Sequence, residues 1–244
     1  MRIDSDVLWL PKAGNAPSEN EDAHALSLGR SSGDAPFHAA VADGATESLF
    51  SGAWARALAE AYVQGGLHGA DDLLAVLPAL QRDWHAAVEA RELPWYAREK
   101  AHQGAFAAVL GVSISGRDWT ALAVGDSCLF HVREDALLRA FPLETAEALG
   151  TNPYLVSTHV ARNVGLASRV SVVAGVLHPG DLLLLMTDAL AGWFLTEHEA
   201  GRAPWRQLPR PGESARHEDF IRTLRDAGRL RNDDVTLLRL TAGA

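Results

Sequence analysis

Thiol chemistry is almost absent from this sequence: Cys128 is the single cysteine in 244 residues. Neither an internal disulfide framework nor a cysteine-based zinc cluster can be built from it. Its position at the head of the apolar run "CLFHVR" reads as a packed thiol rather than a nucleophile. Long apolar runs are missing too. The most apolar stretch, "LLLLM" from Leu182 to Met186, lies between Asp181 and Asp188, far short of the ~20 residues that span a bilayer. Positive charge is in deficit, with 22 Lys and Arg against 31 Asp and Glu and a formal charge of −9. That balance gives no overall attraction to nucleic acid or to an anionic membrane. In "MRIDSDVLWLPKAGN", acids and a proline interrupt what a signal peptide needs as an apolar core. The expected protein is soluble and cytoplasmic, with proteins or small solutes as partners. No internal repeat and no low-complexity segment is evident.

What is present is ordinary globular composition, 48% apolar and 22% charged, with no break that divides the chain. One domain over residues 1–244 is expected. Short apolar or alternating runs bounded by turn residues predict strands at Asp6–Leu10, Ala23–Leu28, Phe37–Ala42, Phe106–Ser115, Trp119–Val124, Cys128–Arg133, Val170–Leu177, Leu182–Thr187 and Val235–Leu240. Helical spacing puts Trp54, Leu58 and Tyr62 on one face of a first helix that stops at Gly65-Gly66, with Ser51 as a candidate cap. A second helix, from about Asp71 to Glu92, carries Pro78 and is expected to kink or break there. A third is expected near Glu218–Ala227, and "GRAPWRQLPRPGESAR" reads as a loop. The short turn in "WTALAVGDSCLFHVR" predicts an antiparallel hairpin. The element order suggests antiparallel sheets flanked by helices.

Carboxylates recur at strand ends. "HAAVADG" ends near Asp43, "ALAVGDS" near Asp126 and "LLLLMTD" at Asp188, while "RNDDVTLL" opens with Asp233 and Asp234. "SENEDAH" puts Glu21 and Asp22 before another strand. Singly, each is most simply a turn residue bonding its local backbone. Together they suggest more. An unpaired carboxylate at the end of a buried strand costs several kcal/mol, and few Lys or Arg residues lie near these turns in sequence, so the group calls for a cation. Oxygen donors without cysteine or an HExxH pair select a hard ion, Mg2+ or Mn2+. The ten histidines are scattered, with no i, i+4 pair, and read as surface or core residues; His38, on the strand leading to Asp43, is the one to watch.

At this point the chain resembles the metal-dependent protein phosphatases of type 2C, the PPM-type serine/threonine phosphatases, and in particular their bacterial branch. The resemblance rests on six blocks in order: "NEDAH", "VADGATESLFSG", "WYAREKAHQGAFAAVLGVSI", "ALAVGDSCLFHVR", "GDLLLLMTDAL" and "NDDVTLLRL". It implies an α+β fold, a four-layer αββα sandwich of two antiparallel sheets flanked by helices. It implies a two-ion centre, Mn2+ or Mg2+, whose shared water attacks a phosphomonoester. Asp43 would bridge the ions, Gly44 and Glu21 would serve one, Asp188 and Asp233 the other with Asp22 in support, and Asp126 would mark a third, weaker site. A phosphorylated protein is the implied substrate, with a serine/threonine kinase of the same signalling pathway as counterpart.

The sequence departs from that pattern at several places. Pro17 stands where an arginine usually pairs with the substrate phosphate, and Lys12 or Arg30 is the candidate to take its place. Gly192 replaces an acid of the third ion site, and Ala189 replaces a glycine. Ala45 stands where animal members have histidine, and Phe106 where threonine is frequent. A catalytically weak binding module and a small-molecule phosphoesterase are the alternatives. The arginines of "TLRDAGRLRNDD" read first as a solvated helix face and second as a docking surface, and 144–167 reads as a loop or flap near the site.

Overall fold

A computed structural model describes residues 1–27, 36–46, 48–65, 67–150 and 152–243. Arg30 and the predicted strand end at Leu28 lie outside the described residues. One sheet runs in the order β1 (Ile3–Leu10), β11 (Val235–Ala242), β10 (Leu182–Met186), β6 (Cys128–Arg133) and β7 (Ala136–Phe141). The other runs β2 (Asp22–Leu26), β3 (Phe37–Gly44), β4 (Phe106–Ser115), β5 (Asp118–Val124) and β9 (Ser171–Val176), with the short β8 (Val156–Ser157) on β4. Every pairing is antiparallel. The helices are α1 (Ser51–Gly65), α2 (Ala70–Glu89), α3 (Trp95–His102), α4 (Asp188–Glu199) and α5 (Ser214–Asp226).

Strand alternation builds the layers, because successive side chains point to opposite faces of a sheet. In β3, Ala40 and Ala42 pack with Trp54, Leu58 and Tyr62 of α1. Their neighbours Ala39 and Val41 face the other sheet, among Leu110, Leu185 and Leu238. A third apolar cluster joins Phe130, Leu184 and Met186 to Trp193, Phe194 and Ile221 of α4 and α5. Three apolar interfaces between four layers give the αββα sandwich that the resemblance implied.

The predicted hairpin across Gly125 does not form. β5 pairs with β4 and β9, whereas β6 pairs with β10 and β7, so Gly125-Asp126-Ser127 carries the chain from one sheet to the other. Three extended residues reach about 10 Å, the usual spacing of packed sheets, so the crossing needs no longer connection. Gly125 turns with φ +102, where an added Cβ would stand 2.5 Å from the Ala108 Cβ. The strand β6 instead turns back on β7 through Glu134 and Asp135, both with positive φ, the geometry that matches strand twist.

The helix α2 does not break at Pro78. The proline lies on the exposed side, as does Leu74, whose carbonyl loses its i+4 donor and is left facing water. Leu73, Leu77, Gln81 and Trp84 stay buried along the opposite face. The predicted loop before α5 contains one short 3-10 turn at Pro204–Arg206, and α5 starts four residues earlier than the predicted third helix.

Candidate metal centre

The strand β3 ends at Asp43 and Gly44, directly across from Asp22 on β2. The sequence reads Asp43-Gly44 as a turn, yet β3 continues through Gly44, which pairs with Ala107. Glycine is needed here for close approach. A Cβ on Gly44 would lie 2.7 Å from the Ser51 carbonyl carbon and 2.8 Å from the Glu21 carbonyl oxygen. Gly52 is similarly confined, with the Asn20 carbonyl oxygen 3.0 Å from its Cβ position. The end of β3 and the start of α1 thus pack backbone to backbone on the Asn20–Glu21 segment. Ser51, expected as a cap, instead donates its hydroxyl to Glu21 Oε1 at 2.6 Å. Lys12 Nζ meets Glu21 Oε2 at 3.3 Å.

The other sheet supplies the opposing acids. Asp126 lies in the sheet crossing, Asp188 is the first residue of α4, and Asp233 stands just before β11. An anion at the N-terminus of α4 also suits the helix dipole. Asp43, Gly44, Asp126, Asp188 and Asp233 line one cleft of about 890 Å³. Its far wall comes from the segment expected as a flap, including Tyr154, Leu155 and Arg162. Glu21 and Asp22 lie beside the cleft rather than on its lining, Asp22 bordering a separate pocket with Pro17.

The electrostatics follow from this crowding. Burial pushes the Asp43 carboxyl well above the usual carboxylate range, and the charges of Asp22, Asp188, Asp126 and Asp233 push it further. Burial raises Asp22 in the same way, partly opposed by the nearby hydroxyls of Thr236 and Thr187, the second of which donates to its Oδ2 at 2.9 Å. Among the described residues, no hydrogen bond of normal geometry reaches the buried Asp22 Oδ1. Asp126 is pushed up to about 7, chiefly by burial and next by Asp188. Such a group favours proton or cation uptake. Its donors are oxygens only, and the orphaned Asp22 Oδ1 is free to accept, so the residues fit a hard divalent ion. Among the described residues no group of three or more His, Cys, Asp or Glu is closed up around a metal position.

The expectation of few nearby cations is incorrect. Arg231 bonds Asp188, and its Nη2 lies 3.1 Å from Asp233 Oδ2. The solvated-helix-face reading of the late arginines holds only in part: Arg229 and Arg231 lie past α5 and stay largely exposed, yet both are paired. Arg225 donates to the carbonyls of Pro11 and Asp233, at 3.2 and 2.6 Å, and Arg229 pairs with the buried Glu197 at 2.8 Å. These side chains turn toward acceptors brought in from distant segments. Asp234 is another residue whose part the sequence conceals. Its carboxylate accepts the backbone N–H groups of Lys12, at 2.8 Å, and Glu21, at 2.7 Å. The two neighbours face different ways: Asp233 lines the cleft while Asp234 clamps the Glu21 backbone.

The remaining expected residues are placed as follows. His38 bonds Ser113 Oγ at 2.8 Å, which in turn meets the Tyr62 hydroxyl at 3.1 Å, so it belongs to a polar contact of the core. Cys128 is fully buried, and burial pushes its thiol up to about 12. Gly192 lies on α4 beside Asp126 and Asp188, with Leu149 at an ordinary 3.5 Å from its Cβ position.

Residues 15–229 match the family model described as protein phosphatase 2C. No curated protein matches the chain in sequence. Among solved structures, the Mycobacterium tuberculosis serine/threonine phosphatase PstP/Ppp is similar at 16% identity and TM-score 0.66, with all of both chains covered. The catalytic domain of PstP in complex with two manganese ions gives 17% and 0.65, covering 100% of this chain and 99% of that one. PppA, a regulatory component of T6SS in Pseudomonas aeruginosa, gives 16% and 0.61, covering 99% and 98%. The structures share the fold, the family model spans most of the sequence, and the chain belongs to the protein phosphatase 2C family of metal-dependent phosphoprotein hydrolases.

Proposed function

We propose that the chain removes phosphate from phosphoserine and phosphothreonine side chains of proteins, with two Mn2+ or Mg2+ ions held in the carboxylate cleft. One observation carries this reading: acids from β2, the sheet crossing, α4 and the segment before β11 all act on Asp43 of β3. Five separated segments bring like charge to one point, against its own repulsion. Asp43 would lie between the two ions, Gly44 and Glu21 serving one and Asp188 and Asp233 the other, with Asp22 in support. Asp126 and Asp188 are what remains of a third, weaker site. When bound, such ions polarise a phosphoryl oxygen and make a water nucleophilic near neutral pH.

The chain's own residues position these parts. Ser51, Lys12 and the Asp234 clamp fix Glu21, so its carboxylate is oriented before any ligand arrives. Lys100, Arg162 and Arg169 line the cleft opposite the acids, where they face an incoming phosphate and help offset its charge. Lys12, a candidate phosphate contact, is engaged by Glu21 at the edge of the site. A serine/threonine kinase acting on the same proteins is the natural counterpart, and the cytoplasm the natural compartment. No described helix is long and apolar enough to cross a membrane.

The test is hydrolysis of p-nitrophenyl phosphate and of a phosphothreonine peptide with Mn2+, Mg2+ or EDTA, beside Asp43→Asn. Release that needs the ion, prefers the peptide and falls at least ~100-fold in the variant is expected. Release no greater than that of the variant, from folded protein, contradicts the reading and leaves a phosphopeptide-binding module.

A further inference from the structure

The two halves of the carboxylate cleft are not equally charged. On the β2 and β3 side, Lys12 reaches one carboxylate only, Glu21 at 3.3 Å, and the buried Asp22 Oδ1 has no partner among the described residues. On the other side, the Arg231 guanidinium reaches Asp188 and Asp233 together. Arg231 is held on a short leash. Its neighbour Asn232 accepts the Ala13 N–H at 2.8 Å, and Arg225 Nη2 donates to the Asp233 carbonyl at 2.6 Å, while on the other flank the Leu230 N–H donates to the Leu224 carbonyl at 3.2 Å, so the backbone is pinned on both sides. The side chain itself remains 59% exposed and lines the cleft. The guanidinium end of both pairs reaches water, which weakens them, and with the backbone pinned a doubly charged ion can displace it without unfolding the loop.

We propose that Arg231 is a tethered counter-ion for Asp188 and Asp233, giving way when a divalent ion binds there and weakening that ion relative to the one near Glu21. This inference rests on the proposed function, since it concerns the same ions. It accounts for one feature of the cleft: a cation lies between two of its carboxylates. It also makes loading sequential. The ion on the Asp43 and Glu21 side binds first, and the second binds against competition from the chain's own charge.

The experiment is calorimetric titration of EDTA-stripped full-length protein with Mn2+, for the unaltered chain, Arg231→Gln and Arg231→Lys. Thermal unfolding of the same samples confirms that each is folded. The unaltered chain should bind two ions in two steps. Arg231→Gln should tighten the weaker step roughly 5- to 10-fold and leave the tighter step alone, while lowering the melting temperature of the metal-free protein. Arg231→Lys should fall between. Two ions bound with both steps unchanged in Arg231→Gln, or a weakened second step, would overturn the inference and leave the proposed function standing. Failure of the unaltered chain to bind Mn2+ would overturn both.

Discussion

At the scale of single residues, the acids of the centre are visible in the sequence because each sits where an apolar run stops. Asp43, Asp126, Asp188 and Asp233 all line the cleft. What pattern cannot reveal is the reason for the glycine beside Asp43, or the fate of the second acid in Asp233-Asp234. Gly44 answers to backbone atoms of Glu21 and Ser51, seven or more residues away in the chain, and Asp234 to N–H groups of Lys12 and Glu21. Neither partner is local, so no local rule finds it. Gly44→Ala should therefore cost about 1–3 kcal/mol by overpacking, read as a lower denaturant midpoint, and should weaken Mn2+ binding because the end of β3 shifts. Unchanged stability would show that the Glu21 segment yields freely.

Elements were legible where turn residues bound an apolar run or a helical period shows, and not where those marks are missing. The strands β4 and β6 match their predicted limits, since apolar runs bounded by turn residues mark them. The helix α4 is hidden because "DALAGWFLTEHE" follows an apolar strand and is itself buried on most sides, leaving no polar stripe to show a period. The strand β7 is an edge strand, mostly exposed, behind a turn without glycine. The false hairpin has a related cause: three residues between strands serve equally for a reversal in one sheet or a crossing between two.

The far end of β10 shows what an acid without a place in the cleft does. Asp181 is buried, which by itself raises its pKa, yet Arg133, the His178 N–H and His131 outweigh burial and hold it at about 2. A carboxyl held below its unfolded value stabilises the fold above pH ~4, and that contribution is lost as pH falls through ~2. Asp181→Asn should lower stability by roughly 2–3 kcal/mol at pH 7, with the gap to the unaltered protein closing toward pH 2 and no change in hydrolytic rate. A rate that falls in proportion to a cleft variant would mean the two ends of the sheet are coupled.

At the scale of the molecule, the negative balance of −9 is an average over a distribution with a purpose. Acids gather where the two sheets meet at one end, and the arginines that oppose them come from the flap wall and the segment after α5. The order of six sequence blocks is enough to give the fold, because each block places one strand end. The cleft's interior balance between acid and guanidinium is not, because Arg231 meets Asp188 across 43 residues of chain.

The central claim, that this cleft is a two-ion centre organised on Asp43, is tested most directly by diffraction from crystals grown with Mn2+, using its anomalous signal. Two peaks are predicted, both beside Asp43, one on the Gly44 and Glu21 side and one between Asp188 and Asp233. Mn2+ bound only outside the cleft, or absent from fully folded protein at saturating concentration, would contradict the account.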